Sequence, residues 1–205
     1  MSQHILKNLR QSYDRKVRER EDTGLEQWKL MERQRFLDVV QAEGKRKLLD
    51  VGAGPGVHAT FFRKNGVTVT CVDFSSEMIK RCREKGLTAF EMNFLNLDFP
   101  ENSFDAVFAM NSLLHVPRND LAAALESIKR LLPPAGLFYW GQYGGKDHEG
   151  VWESDHYEPK RFFSFLTDKD IERTAREFFR VISFKQIEVE DEREISFQSL
   201  LLSKI

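Results

Sequence analysis

The sequence predicts an α/β fold, a three-layer αβα sandwich with a mostly parallel seven-stranded sheet and an antiparallel C-terminal strand pair. Three observations predict it. From residue 47 onward, short apolar segments of strand length alternate with segments whose apolar residues recur at helical spacing. A glycine-rich turn directly follows the first of these strands. The last two strands are joined so tightly that they must run antiparallel.

The central elements alternate regularly between residues 47 and 142. We expect strands at 47–51, 68–73, 88–92, 104–110 and 136–142, and helices at 57–65, 76–85 and 119–132. The last of these helices carries one apolar stripe, and Pro133 stops it. Because a helix follows each of the first strands, the strands should be parallel, be covered on both faces and present ligands at their carboxyl ends.

The two ends of the chain differ from this alternating centre. Residues 1–40 are predicted to be helical, with an interruption at Gly24. Residues 168–178 should form a helix, followed by strands at 181–189 and 195–202 around the acidic turn 190–194.

Composition excludes several classes of protein. A net charge of −1 gives no overall field that would attract nucleic acid or an anionic membrane. The mixed charges of residues 18–22 are typical of a solvated helix face. No apolar run is long enough to span a bilayer, and Cys71 and Cys82 lie outside any metal-like spacing. We therefore expect a cytoplasmic protein, a monomer or homodimer, that holds no metal and acts without a nucleic-acid or membrane partner.

The glycine-rich turn Gly52-Ala53-Gly54-Pro55-Gly56 predicts a ligand site. Alternate glycines let the backbone turn sharply and leave no Cβ to block a ligand, and the following helix offers free N–H groups. Asp73 ends the second strand, 21 residues after Gly52, about where a βαβ unit delivers a carboxylate to ribose hydroxyls. Val57 breaks the dinucleotide fingerprint, and no Gly-Lys-Ser/Thr ending marks a phosphate loop. The pattern indicates a nucleoside cofactor.

This turn closely resembles the first motif of the class I S-adenosylmethionine-dependent methyltransferases, matched by Asp50, Gly52, Gly54 and Gly56. The resemblance extends over residues 41–145, through Val72-Asp73-Phe74-Ser75, Asn102-Ser103-Phe104-Asp105 and Leu131-Leu132-Pro133-Pro134. It implies S-adenosyl-L-methionine as cofactor, bound by Asp50, Gly52, Ala53, Gly54, Asp73, Phe74, Asn93, Phe94 and Asn111.

Two further segments bear on that cofactor. The third strand ends in Met92-Asn93-Phe94 where the family commonly has Gly-Asp-Ala, and Asn93 can still accept a hydrogen bond from adenine. Tyr13-Asp14 resembles the pair that many of these enzymes place in an N-terminal helix folding over the cofactor, although a solvated helix face would also account for it. The resemblance thus divides one domain of 205 residues into a helical cap (1–40), a cofactor-binding core (41–142), a substrate lid (143–167) and a C-terminal part (168–205).

The chemistry should lie at the ends of the fourth and fifth strands. His115 is our candidate general base, since imidazole titrates near neutral pH; a structural turn, with the imidazole bound to a backbone carbonyl, is the alternative. The aromatic and ionisable lid supplies candidate substrate contacts at Tyr143, His156, Tyr157 and Arg161. Arg161 fits a carboxylate or phosphate on the acceptor, or a structural salt bridge.

These observations together predict methyl transfer to a small-molecule acceptor on O, N or S. A methyltransferase acting on a protein or tRNA, or a non-catalytic nucleoside-binding domain, are the alternatives. A nicotinamide-dependent oxidoreductase is disfavoured by the glycine spacing.

Overall fold

The computed structural model describes residues 1–22, 24–189 and 194–205. Within these residues the helices are α1 (Gln3–Asp14), α2 (Val17–Asp22), α3 (Gln27–Ala42), α4 (Val57–Lys64), α5 (Ser76–Glu84), α6 (Arg118–Leu131) and α7 (Asp168–Phe178). The strands are β1 (Lys47–Val51), β2 (Thr68–Asp73), β3 (Thr88–Glu91), β4 (Ala106–Met110), β5 (Leu137–Gly144), β6 (His148–Val151), β7 (Phe162–Phe165), β8 (Arg180–Glu188) and β9 (Ser196–Ser203).

Seven of these strands form one sheet in the order β3-β2-β1-β4-β5-β9-β8. The first five are parallel, and β9 pairs antiparallel with both β5 and β8. The strand order reverses between β1 and β4, where the polypeptide leaves the two strands in opposite directions. In open α/β sheets such a switch point opens a crevice at the carboxyl ends of the strands, and the glycine-rich turn lies at this one.

Two apolar cores cover the two faces of the sheet, which explains why the central strands are apolar throughout. On β4, Val107 and Ala109 pack with α6 and α7 in one core, while Ala106 and Phe108 pack with α3, α4 and α5 in the other. Alternate residues of a strand thus feed opposite layers. The predicted three-layer sandwich with an antiparallel C-terminal pair is confirmed.

The boundaries differ from the prediction at several places. The N-terminal part forms three helices rather than two. In addition to the predicted break at Gly24, which follows the end of α2, the chain breaks at Asp14, where α1 ends. Within the segment predicted as a lid, β6 and β7 form a separate antiparallel pair that sequence pattern alone did not predict. The acidic turn falls mostly at residues 190–193, which lie outside the described residues.

The carboxyl edge of the sheet is covered by two segments that contact each other, residues 3–22 and residues 155–161, which we call the roof. The Ser12 hydroxyl donates to the carbonyl of Pro159, and Arg15 donates to the carbonyl of Glu158 at 3.1 Å. Asp14 accepts a hydrogen bond from the Ser75 hydroxyl at the start of α5. Farther along, Glu21 forms ion pairs with Arg81 and Lys85 on the same helix. The roof is therefore attached to the sheet side by polar contacts.

Within the described residues no helix combines the length and apolar character needed to cross a bilayer. Cys71 and Cys82 are both buried free thiols.

Candidate active site

The glycine-rich turn lies against the ends of β1 and β4. Gly52 has φ +73°, and a Cβ added there would lie 2.3 Å from Cβ of Ser112, so only glycine allows this close approach. Gly54 has φ +53°, but an added Cβ would meet no atom within 4 Å. The two glycines therefore have different roles: Gly52 permits packing of the turn on Ser112, and Gly54 leaves open space above the turn.

Asp73 ends β2 and fixes the turn. One of its carboxylate oxygens, Oδ2, accepts the N–H of Gly54 at 2.9 Å, and Oδ1 accepts the N–H of Ser75 at 2.9 Å. Burial raises the pKa of Asp73 above its usual value, although these two hydrogen bonds oppose the shift. Each oxygen retains a further lone pair, so this buried carboxylate can accept two more hydrogen bonds from a ligand.

Asp50 lies on β1 beneath the turn, and its side chain faces the N-terminal turn of α4. It accepts a hydrogen bond from the N–H of Ala59, and its Oδ2 has no partner among the described residues. Burial, and next the negative charge of Asp73, raise the pKa of Asp50 to about 8. A buried oxygen without a partner next to a ligand-binding turn is the mark of a group completed by a ligand.

Two adjoining spaces extend from this turn. A cavity of about 330 Å³ between α1 and the end of β3 is lined by Phe74, Met92 and Asn93. A narrower cleft of about 30 Å³ continues toward β4 and is lined by Tyr13, Arg20, Gly52, Gly54, Asp73, Phe74, Met78, Phe94, Met110, Asn111, Ser112 and His115. Phe74 lines both, so the two spaces adjoin each other at its ring.

At the inner end of the cleft, His115 and Tyr13 form a hydrogen-bonded pair. His115 is buried after β4, and its Nδ1 lies 2.7 Å from the carbonyl oxygen of Phe162, which can only accept. Nδ1 therefore carries the proton, and Nε2 accepts from the Tyr13 hydroxyl at 2.5 Å. Burial, and next the charge of Arg161, lower the pKa of His115 to about 3, so the imidazole is neutral at physiological pH.

The comparisons with known proteins agree with this geometry. Residues 49–140 match the family model of a methyltransferase domain. The sterol 24-C-methyltransferase erg6 of Aspergillus fumigatus is 36% identical over 101 residues, which cover 45% of this chain and 26% of that protein. The ubiquinone biosynthesis O-methyltransferase of Actinobacillus pleuropneumoniae serotype 7 is 32% identical over 119 residues, which cover 51% of this chain and 50% of that protein. This chain contains a class I S-adenosylmethionine-dependent methyltransferase domain.

A solved structure shows the same fold for the methyltransferase domain as a whole. The 1,6-didemethyltoxoflavin-N1-methyltransferase of Burkholderia thailandensis, bound to 1,6-didemethyltoxoflavin and S-adenosylhomocysteine, has a TM-score of 0.72 and 19% identity. The match covers 96% of this chain and 87% of that one. The chain spans about a quarter and a half of the lengths of the two sequence relatives.

The residues of this methyltransferase domain fit S-adenosylmethionine, the cofactor of the family, on their own geometry. Gly54 leaves space where any Cβ would stand in the way of a ligand, and Asp73 keeps buried lone pairs for hydroxyl groups. The larger cavity carries an aromatic ring, Phe74, and an amide, Asn93, which suit a flat purine with hydrogen-bonding edges. Asn93 already accepts the N–H of Leu95 at 3.1 Å through its Oδ1, which keeps a second lone pair.

Arg161, predicted as a substrate contact, is mostly engaged in an ion pair. Its Nε and Nη2 each donate to the carboxylate of Asp155 at 2.8 Å, and its backbone N–H donates to the same group at 2.9 Å. The remaining nitrogen, Nη1, lies 3.4 Å from the Tyr13 hydroxyl. The guanidinium also stacks 3.6 Å from the ring centre of buried Tyr157. Arg161 thus holds residues 155–161 together, and its Nη1 faces the hydroxyl of Tyr13, which lines the cleft.

Arg20 lines the cleft and was missed at the sequence level. The charge pattern of residues 18–22 predicts a solvated helix face, and that expectation is wrong for two of its members. Glu21 pairs with α5, and the Arg20 guanidinium lies under the roof, 5.1 Å from the ring centre of Tyr13. A helix of only six residues carries no visible amphipathic period, so the pattern could not indicate which residue faces inward.

The other predicted residues lie at different depths. Asn111 lines the cleft in a left-handed conformation, φ +57°, and its side chain accepts the N–H of Tyr143 at 3.1 Å. Tyr143 packs against Trp28 and Phe197 beside the cleft. His156 lies on the outer side of the roof, with 71% of its side chain exposed. No group of three or more His, Cys, Asp or Glu able to hold a metal ion occurs among the described residues.

Proposed function

We propose that this protein transfers a methyl group from S-adenosylmethionine to a small-molecule acceptor. One observation carries the proposal: the Tyr13–His115 pair stands in the same closed cleft as the glycine turn and Asp73. The roof covers this narrow cleft, which favours a small acceptor over a folded protein or an RNA helix. Relatives named for sterol and ubiquinone methylation support the same class of acceptor.

The cofactor, when bound, supplies an electrophilic methyl group on a sulfonium. We propose that Asp73 holds its ribose hydroxyls, and that Phe74, Asn93 and Phe94 line the adenine site. Gly52, Ala53 and Gly54 would present the turn to the methionine part, with Asn111 on the opposite side and Asp50 beneath. Tyr13 would close the site from above, because α1 lies across the cleft.

We propose that the protein removes a proton from the acceptor through two residues. The Tyr13 oxygen would take the acceptor's proton while its own proton passes to Nε2 of His115. The resulting imidazolium would keep its Nδ1–H bond to the Phe162 carbonyl, so the ring need not turn. His115 is thus the general base acting through Tyr13, and Tyr143, Tyr157 and Arg161 would form the acceptor walls. His156 would need a rearrangement of the roof to take part, because it faces outward.

The cofactor assignment can be tested by calorimetry with S-adenosylhomocysteine and, separately, with NAD. We expect S-adenosylhomocysteine to bind and NAD not to bind. Binding of NAD alone would show that the cofactor has been misassigned. A panel of small hydroxyl, amine and thiol acceptors, run beside protein and tRNA fractions with methyl-labelled cofactor, then separates the acceptor classes. Cofactor binding without transfer to any of them would indicate a non-catalytic nucleoside-binding domain.

The proton path has its own test. Tyr13→Phe keeps the ring under the roof and removes the hydroxyl, so methyl transfer should fall by about 10²-fold or more, the usual contribution of a positioned base. S-adenosylhomocysteine affinity should change little. Full activity in Tyr13→Phe would contradict the proposed proton path and indicate that catalysis depends only on the proximity of the two substrates.

A further inference from the structure

The cleft contains a cation, Arg20, to which neither the proposed proton path nor the proposed cofactor contacts assign a role. The Arg20 guanidinium is partly buried beneath the roof, and among the described residues no carboxylate oxygen lies within 4.0 Å of it. Its one side-chain hydrogen bond to another described residue joins Nη1 to the Tyr157 hydroxyl at 3.4 Å, at the long end of the range. Burying a guanidinium without a counter-charge costs free energy, and an anionic ligand that supplies the counter-charge reduces this cost.

Asp73 lines the same cleft and its charge acts on Arg20 from beyond 4.0 Å, while its two oxygens accept the N–H groups of Gly54 and Ser75. Four other carboxylates near Arg20 are engaged with different partners. Asp14 binds Ser75, Glu19 pairs with Lys16, and Glu21 pairs with Arg81 and Lys85. Asp155 is held in two places by Arg161. The Arg161–Asp155 pair carries no net charge, so Arg20 supplies a positive charge on the roof side of the cleft, opposite Asp73.

Three donors lie close together around Tyr13, and of these only Arg20 lines the cleft itself. They are the Arg20 guanidinium, Nη1 of Arg161, which Asp155 does not use, and the hydroxyl of Tyr157. The two guanidinium groups lie 5.1 Å and 5.6 Å from the ring centre of Tyr13, whose hydroxyl bonds to His115. The donors therefore flank the residue that we assign to proton removal.

From this arrangement we infer that the acceptor carries an anionic group, a carboxylate or a phosphate, which binds to Arg20 with help from Arg161 and Tyr157. The inference rests on the proposed function and names the substrate class of the same site. Planar guanidinium groups pair with both kinds of anion in two places at once. The positive charges of Arg20 and Arg161 disfavour a proton on His115. The bound negative charge would offset them and thereby assist proton transfer to His115.

The test uses the whole chain saturated with S-adenosylhomocysteine, titrated in low-salt buffer with inorganic phosphate and, separately, with acetate. We expect one of these two anions to bind, and which one binds distinguishes a phosphate from a carboxylate. Arg20→Ala should weaken that binding by about tenfold or more, the loss of a charge-assisted hydrogen bond, while S-adenosylhomocysteine binds as before. Arg20→Lys should retain part of the affinity and guards against a folding defect.

Arg18 offers a matched control, because it is an exposed arginine on the same helix. Arg18→Ala should bind the anion as the parent protein does. Equal losses in the two alanine variants would reduce the effect to overall charge and overturn the inference. So would an S-adenosylhomocysteine complex that binds neither anion, or an Arg20→Ala variant whose main loss is in S-adenosylhomocysteine affinity. If the parent protein does not bind S-adenosylhomocysteine at all, the proposed function itself fails.

Discussion

Replacement of Asp73 separates the binding role of this carboxylate from its structural role. Each carboxylate oxygen accepts up to two hydrogen bonds, and the N–H groups of Gly54 and Ser75 use one on each. One acceptor per oxygen remains for the ribose hydroxyls, and each charge-assisted bond contributes about 1.5–3 kcal/mol. Asp73→Asn keeps one acceptor oxygen and should weaken S-adenosylhomocysteine binding by about tenfold or more. Asp73→Ala removes both oxygens and should weaken it further.

The fold should survive both changes. Loss of the carboxylate leaves the N–H groups of Gly54 and Ser75 without partners, which destabilises the fold. It also removes a buried acidic group whose pKa burial raises, which stabilises the fold, so the two effects oppose each other. Calorimetry gives the affinity and urea unfolding gives the stability. Asp98→Ala is the control, since Asp98 is exposed and lies outside both spaces of the site. A folded Asp73→Ala variant that binds S-adenosylhomocysteine with unchanged affinity would show that the ribose is held elsewhere.

Three further predictions follow from the geometry and the pKa shifts. Gly52→Ala should lower the free energy of unfolding by about 2–4 kcal/mol, because the backbone there has a positive φ and the added Cβ would clash with Ser112. Gly54→Ala should mainly weaken S-adenosylhomocysteine binding, because an added Cβ meets no protein atom there. Urea unfolding and calorimetry on both variants check this. The pKa of Asp50 is about 8 in the folded protein and lies near its usual value of 3.8 when unfolded, so its stabilising effect is complete below about pH 4 and is lost as pH rises through 8. The free energy of unfolding should therefore fall by about 3 kcal/mol between about pH 5 and pH 8, and a pH series in which Asp50→Asn declines just as steeply would contradict this. The His115 imidazole, with a pKa near 3, should give no NMR titration between about pH 5 and pH 9, and it should destabilise the fold only as pH falls below about 6.5 toward 3.

The sequence predicted the sheet, its two helical layers and the glycine turn because these depend on local periodicity and on backbone conformations that only glycine adopts. It did not predict which charges in residues 18–22 face inward, since a six-residue helix is placed by its contacts with α5 and residues 155–161. Nor did it reveal that Arg161 is held by Asp155, six residues away in a segment without regular structure. Side chains of loops meet according to tertiary packing, for which a single sequence carries no period.

The proposed partner of His115 required the structure as well. Tyr13 and His115 are 102 residues apart, and the sequence predicts a separate role for each, cofactor binding for Tyr13 and catalysis for His115. Only the path of α1 across the sheet edge brings the two side chains into contact. Such long-range contacts depend on topology, which the spacing of residues does not encode.

Residues 3–22 contact both halves of the site, because Asp14 binds Ser75 next to Asp73 and Tyr13 binds His115 at the inner end of the cleft. A single covering segment shared by two ligands couples their affinities, and by linkage the coupling must be reciprocal. A nucleoside that seats this segment reduces the entropy that the acceptor must later remove, so the acceptor should bind more tightly to the cofactor complex than to the free protein. The cooperativity between the two ligands would then be a property of one short stretch of chain rather than of the sheet beneath it.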